Sequence, residues 1–379
     1  MDKKPLVIFM VTNNYTPYSG GVVSALHSYT QELRALGHRV FIITLDFLGT
    51  SEQGNKECDV IRISCPLRFT YYKNPMAIPW RPTTLISRLV ELHKPDIIHT
   101  HHPFLLGSSA LKVAQRYRLP LVFTYHTMYE KYLHYIPLPQ LLTKPVTQQW
   151  VKQFCNKVQA VVAPTPSLRD YLVTQDITYN ISVIPSGILP HFIKPIFAYK
   201  LPSQRFTLLS VGRFMPEKNV RFLLNTYAHL DKTCFELVLV GYGAHLEELK
   251  TYAYSTLQLS PDDVRFIIKP SREELLLWYD KADLFIFASQ TETQGLVLAE
   301  AMARGTPVVA LAGTAIGDIV NHGSNGFIVH SLKEMSSTIE ALQQDYVLHQ
   351  KLQYAAWQTG LLYRPEICAS QLVSLYNTL

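Results

Sequence analysis

Long apolar runs are the first thing missing. Nowhere in the 379 residues do eighteen or more apolar residues follow one another, which excludes a membrane-spanning helix. Cysteine is scarce. The five present (Cys58, Cys65, Cys155, Cys234 and Cys368) are scattered without paired spacing, so they read as reduced thiols and argue against a disulfide framework or a cysteine-based zinc site. Charge is modest, 17% of residues against 47% hydrophobic, a globular balance that excludes a disordered chain. Neither a G-x-G-x-x-G dinucleotide fingerprint nor a nucleic-acid motif occurs. The start, Met1 to Lys4 and then the apolar Leu6–Val11, imitates a signal peptide. Its run is too short, however, no small-residue cleavage site follows, and polar Asn13-Asn14 come next, so a first β-strand is the better reading.

What is present is an alternation of strands and helices. Strands are expected at Leu6–Thr12, Val40–Leu45, Asp96–His99, Leu119–Thr124 and Val158–Ala163, with helices at Val22–Leu36, ended by Gly37, and at Leu105–Tyr117. A second series runs through Phe206–Val211, Phe235–Val240, Val264–Ile268, Ala282–Ser289 and Pro307–Leu311. Helices between strands at this spacing imply parallel, doubly wound sheets with sites at the carboxyl ends of the strands. The length suits two domains. Pro185, Pro190, Pro195 and Pro202 punctuate a stretch without periodicity. The expected division is therefore 1–190 for the first domain, a linker at 191–203 and a second domain at 204–361, with a helix at 362–379 after it. Net charge is uneven: residues 1–190 hold 19 Lys and Arg against 11 Asp and Glu, and the remainder 16 against 18. A basic first half points to an anionic surface or substrate.

The segment Thr291-Glu292-Thr293-Gln294-Gly295-Leu296-Val297-Leu298-Ala299-Glu300 lies between two strand patterns and starts a helix on a glycine. Free amides and the positive dipole end at Gly295-Leu296 favour a phosphate. Glu292 and Glu300 would flank a pyrophosphate, one towards each substituent of a nucleotide sugar. Arg213 and Lys218, five apart in another strand-to-helix loop, can turn on one diphosphate, Arg as a fork and Lys as a point charge. Ser19-Gly20-Gly21 in the first such loop permits close backbone approach of Gly21 to a phosphate. His126 falls just beyond a strand end, and His99 and His101 would share one strand face. Two stretches, 69–81 and 129–144, interleave aromatics with Lys and Arg, as an anionic membrane surface favours.

These motifs together resemble the retaining GT-B glycosyltransferases of family 4, over essentially the whole chain. The phrases His126 to Ile136 and His101 to Gly107 look like those of bacterial diacylglycerol glucosyltransferases. The resemblance implies two Rossmann-like domains facing a cleft, with the last helix, 362–379, crossing back to join the first domain. It implies that Arg213 and Lys218 neutralise the leaving diphosphate, that Glu292 and His126 hold the hexose, and that Glu300 holds the ribose. The backbone near Ile268 and Lys269 would read the base, and the loop with Gly313 and Asp318 would face the sugar. No catalytic metal or other cofactor is implied. The expected reaction is front-face, retaining transfer of a hexose, from UDP-glucose before other donors, to a membrane lipid such as 1,2-diacylglycerol. Expected partners are the nucleotide sugar, the lipid acceptor and an anionic membrane met by the first domain, without nucleic acid. The enzyme would then be cytoplasmic and peripheral on the inner face of the cell membrane. Competing readings are the same fold acting on phosphatidylinositol with GDP-mannose or on a soluble sugar, and a nucleotide-sugar-binding protein without turnover.

Overall fold

The structure is a computed structural model that describes residues 4–16, 20–47, 59–71, 74–133, 140–178, 180–200 and 204–379. The chain divides into two compact units, one of Met1–Gly187 with Pro365–Leu379, the other of Ile188–Arg364.

The first unit begins β1 (Val7–Val11), α1 (Gly21–Ala35), β2 (Arg39–Leu45) and β3 (Val60–Ile63). A hairpin of β4 (Leu67–Tyr71) and β5 (Asn74–Ile78) follows, then α2 (Pro82–His93), β6 (Ile97–Thr100), α3 (Leu106–Tyr117) and β7 (Leu121–Thr124). Next come α4 (Gln140–Cys155), β8 (Ala160–Ala163), α5 (Pro166–Thr174) and β9 (Ile181–Val183). Strands β1–β3 and β6–β9 form one seven-stranded sheet in the order β3-β2-β1-β6-β7-β8-β9, parallel throughout. Apolar clusters cover both faces, as near-continuous hydrophobic strands such as VIFMV and FIITL require. The hairpin stands apart as its own two-stranded antiparallel sheet.

The second unit is built of β10 (Phe206–Arg213), α6 (Val220–Ala228), β11 (Phe235–Tyr242), α7 (Leu246–Thr251), β12 (Val264–Ile268) and α8 (Arg272–Lys281). It continues with β13 (Leu284–Phe287), α9 (Leu296–Ala303), β14 (Val308–Leu311), β15 (Gly326–Val329), α10 (Leu332–Gln344) and α11 (Tyr346–Gly360). Its sheet runs β12-β11-β10-β13-β14-β15, again all parallel. Both sheets reverse their strand order once, at β1/β6 and at β10/β13. Ligands of doubly wound sheets bind beyond the strand ends at such reversals. Ser271 caps α8 by accepting from the Glu274 amide at 3.1 Å.

One expectation needs correcting. The segment read as a linker from residue 191 is packed onto the second unit, because its apolar and cationic side chains find buried partners there. Phe192 joins the core over Tyr279, the Lys194 amide donates to the Ala303 carbonyl, and Lys200 Nζ donates to the carbonyls of Tyr279 and Ala282. The last helix, α12 (Pro365–Tyr376), returns to the first unit as expected: Cys368, Leu372 and Tyr376 are buried against Leu26, Tyr29 and Leu33 of α1.

Candidate active site

In the second unit, β10 ends on Gly212-Arg213 and lies in register with Gly241-Tyr242 of β11. The two strands close tightly there, since a Cβ on Gly241 would stand 1.8 Å from the Gly212 carbonyl oxygen. Beyond Arg213 a 3-10 turn, Pro216–Lys218, leads to left-handed Asn219 at the start of α6. Arg213 pairs through Nη2 with Glu217 Oε1 at 3.0 Å, and that carboxylate is nearly buried, its side chain 4% exposed. Lys218 reaches the loop after β13 and meets Glu292, Nζ to Oε1, at 2.5 Å. Burial pushes the Glu292 carboxyl up, but the Lys218 ammonium and, further off, Arg213 outweigh it and hold the group below the usual carboxylate range. Arg213, Lys218 and Glu292 are thus brought together at the β10/β13 reversal.

Gly295 takes a left-handed conformation, φ 77°, at the N-cap of α9, a position that favours glycine. The loop before it is braced by the one containing Gly313: Gln290 Nε2 donates to the Ala312 carbonyl and Thr314 Oγ1 to the Gln290 carbonyl. Gly313 is needed there, since a Cβ would come within 2.9 Å of the Gln290 Cα. Asp318 closes the 3-10 turn Ile316–Asp318 that follows. Glu300 lies one turn into α9, only 8% exposed, and accepts a hydrogen bond of 2.8 Å from the Tyr279 hydroxyl. Burial raises its carboxyl to about 7, against a smaller downward pull from Tyr279. Sequence alone does not reveal Tyr279 as its partner, for the two sit on different helices without a motif between them.

Ile268 and Lys269 end the neighbouring edge strand. Ile268 pairs with Gly241, and the Lys269 amide, at φ 48°, donates to the Gly241 carbonyl at 3.2 Å. Lys269, Gly241, Arg213 and Glu292 therefore lie at or beyond the carboxyl ends of four adjacent strands, β12-β11-β10-β13, along one rim of the sheet. Glu217 was missed in the sequence, although its spacing of four from Arg213 is the ion-pair spacing of a helical turn.

In the first unit, Gly21 opens α1 with Gly20 as its N-cap. His126 follows β7 at the carboxyl edge of the sheet, and its Nε2 lies 2.8 Å from His101 Nδ1. His101 stacks in turn on His99, ring centroids 4.4 Å apart, while His99 shares hydrogen bonds with Tyr376 of α12 at 2.6 Å and Thr124 at 2.7 Å. His99 and His101 do share a face, as alternation along a strand requires, but both nitrogens of His99 are engaged by hydroxyls. His102 accepts from the Asn13 amide at 3.2 Å, tying β6 to the loop after β1. Burial keeps the four imidazoles neutral, with His99 and His126 held down to about 3 and His102 to about 4. His101 lies lower than usual for the same reason, reinforced by the other three rings.

The aromatic–basic stretches fare differently. Phe69, Met76, Ile78 and Trp80 of the first are exposed, Trp80 at 64%. Leu67 opposes Ile78 and Phe69 opposes Met76 across the hairpin, so one face is apolar, while on the other Ala77 is buried and Arg68 pairs with Asp46. Residues 72–73 lie outside the described residues. The second stretch is corrected at its start: Tyr129 packs edge-on against Phe104 and Tyr125, and Leu133 is buried, because this turn completes the core beneath α4. Its centre, 134–139, lies outside the described residues.

Comparison with known proteins places residues 19–191 in Glycosyltransferase Family 4 and residues 193–359 in Glycosyl transferases group 1. The chain is 30% identical to an alpha-monoglucosyldiacylglycerol synthase of Streptococcus pneumoniae, covering 91% of this chain and 81% of that one. It is 26% identical to a GDP-mannose-dependent alpha-mannosyltransferase of Corynebacterium glutamicum, over 94% of this chain and 84% of that one. In fold it is similar to the Anabaena protein HepE, solved with UDP and glucose, at a TM-score of 0.78 and 17% identity, covering 99% of this chain and 100% of that one. Two doubly wound parallel-sheet units with a helical C-terminus returning to the first are the GT-B architecture expected from the sequence.

Proposed function

The chain belongs to the family 4, group 1 glycosyltransferases, and on that premise we propose that it carries a hexose from UDP-glucose to a membrane lipid such as 1,2-diacylglycerol, with retention at the anomeric carbon. The observation that carries this reading is the convergence of Arg213, Lys218 and Glu292 at one strand reversal. Two cations there face the charge that grows on a departing diphosphate, the interaction worth most in a transition state of this kind. They supply what a metal supplies elsewhere, so the transfer runs without one and without any other cofactor. The amides at Gly295-Leu296 add to them, and Gly21 gives a phosphate close access to the backbone. Glu292 and His126 hold the hexose, Glu300 the ribose hydroxyls, and the backbone at Ile268 and Lys269 the base.

In the proposed step the bond from C1 of the sugar to the diphosphate oxygen breaks as the acceptor oxygen bonds C1 from the same face. The acceptor's proton passes to the departing phosphate. Glu292 is committed to Lys218 at 2.5 Å, which supports a holding role rather than that of a covalent nucleophile. The lipid acceptor is supported by likeness to the Streptococcus pneumoniae synthase and by the apolar face of the β4–β5 hairpin. Among the described residues no helix is long and apolar enough to cross a membrane. The excess of Lys and Arg in residues 1–190 supports peripheral attachment to the anionic inner face of the cell membrane, with no role for nucleic acid.

Likeness to the mannosyltransferase favours a second reading, GDP-mannose as donor and an inositol lipid as acceptor. A donor screen separates the two: release of UDP or GDP is measured with and without diacylglycerol vesicles. Release from UDP-glucose that depends on the vesicles is the expected result. Release that ignores vesicles moves the acceptor to a soluble sugar, and no release from any donor leaves a binding protein.

A further inference from the structure

His126 stands at the end of a column of rings whose members come from three elements. Tyr376 of α12 and Thr124 of β7 grip the two nitrogens of His99, at 2.6 and 2.7 Å. His101 stacks on that fixed ring at 28° between planes and is itself fully buried. Its two nitrogens look in opposite directions: Nε2 towards the Met10 thioether at 3.4 Å, Nδ1 towards His126 Nε2 at 2.8 Å.

Given that His126 meets the transferred sugar as proposed above, we infer that His101 is its positioning residue: it accepts the Nε2–H of His126 and so fixes that ring in one tautomer. A neutral imidazole has one N–H and one lone pair. A thioether carries no proton. A lone pair on His101 Nε2 would therefore face the lone pairs of sulfur in a buried site, whereas an N–H there has an acceptor, if a weak one. Nδ1 of His101 is then the acceptor, and the proton between the two rings belongs to His126. The charged form, which would donate from both nitrogens, is opposed by burial and by the neighbouring imidazoles. His126 is left with its lone pair on Nδ1. That lone pair suits a sugar hydroxyl that donates, and a ring flip or tautomer change would offer a donor instead. The stack on His99 keeps His101 from turning away, and Tyr376 and Thr124 keep His99.

The test uses the full chain with 15N-labelled histidine. Long-range proton–nitrogen spectra report the tautomer of each ring, with His126→Ala identifying its signals. The wild type should show His126 protonated at Nε2. His101→Phe keeps a ring in the stack but removes the acceptor; His126 should become a mixture of tautomers and kcat/KM should fall about tenfold (~1.4 kcal/mol). His101→Asn, whose side-chain oxygen can stand where Nδ1 stood, should restore activity to within about threefold of wild type. A wild-type His126 protonated at Nδ1, or His101→Phe with tautomer and kcat/KM unchanged, overturns the inference. Circular dichroism decides whether His101→Phe is folded; where it is not, the wild-type spectrum and His101→Asn carry the test. Should His126→Ala keep full turnover, the sugar-positioning reading falls, while the spectra still decide what His101 does.

Discussion

Lys218 and Glu292 meet at 2.5 Å although 74 positions of sequence separate them. They descend from β10 and β13, strands that share a register only through Leu208 with Leu284 and Leu209 with Phe285. Both side chains are less than a fifth exposed, 18% and 15%, and the Lys218 ammonium is the largest of the influences that hold the Glu292 carboxyl down. Removing Lys218 takes from the buried Glu292 carboxylate its largest counter-charge, and that makes the pair informative.

Lys218→Ala should lower turnover at saturating donor on the order of 100- to 1000-fold, as loss of one donor to developing charge does, about 2.7–4 kcal/mol. The nucleotide should still bind, through Glu300 and the backbone at Lys269. Steady-state kinetics with the donor varied separates the two effects. Near-normal turnover would remove Lys218 from the diphosphate.

Glu300, in its proposed place at the ribose, should make donor binding depend on pH. Its carboxyl is raised from 4.5 to about 7, so its share of stability is fully present below about 4.5 and is lost as pH rises through about 7. Ribose hydroxyls are donors and select the ionised form. UDP should therefore bind the wild type more tightly as pH rises through about 7, releasing a proton. Glu300→Gln, which cannot ionise, should bind weakly and without that dependence. Calorimetry in two buffers of different ionisation enthalpy counts the proton, and a count of zero in the wild type would contradict the assignment.

Gly241→Ala tests the rim itself. The added carbon would stand 1.8 Å from the Gly212 oxygen, and backbone has no rotamer with which to escape. The strands must part next to Arg213. A loss of on the order of 1–3 kcal/mol in urea unfolding is expected, with weaker donor binding. Unchanged stability would mean that the two strands part there without cost.

The hairpin should anchor the first unit to lipid. Phe69→Glu with Ile78→Glu places two charges on its apolar face and forfeits about 1.5–3 kcal/mol of burial for each side chain, so partition onto vesicles should fall at least tenfold. Wild-type binding should strengthen with anionic lipid, at about 1 kcal/mol per nearby Lys or Arg, and weaken with salt. Sedimentation with neutral and anionic vesicles measures both. Equal partition onto the two, or no loss in the double variant, would point to a soluble acceptor.

Much of this was legible in the sequence because buried parallel strands announce themselves. VIFMV, LFIF and VVAL are apolar throughout, and only a strand covered on both faces asks for that. The short edge strands β3, with an arginine among its four residues, and β9, with three residues, carry too little pattern to read. The hairpin was hidden for a different reason: its apolar residues lie on the exposed face, opposite to the usual alternation. At the site, Arg213, Lys218 and Glu292 could be chosen from spacing and loop position. Contacts across long sequence distance could not. Tyr279 on Glu300 and Tyr376 on His99 join elements with no local signal, and only the packed chain brings them together. The proline-spaced stretch misled because proline marks irregular backbone, and irregular backbone can still be packed, as Phe192 and Lys200 are.

The placement of α12 also fixes an order of events during synthesis. The second unit is one continuous stretch, Ile188–Arg364, and has everything it needs once those residues leave the ribosome. The first unit begins earlier but must wait, for Leu372 and Tyr376 complete its core only after the whole second unit has been made. Until then Leu26, Tyr29 and Leu33 of α1 lack their cover, and a nascent chain in that state presents an apolar stripe to chaperones and to neighbours. The half of the protein that is translated first is the half that matures last.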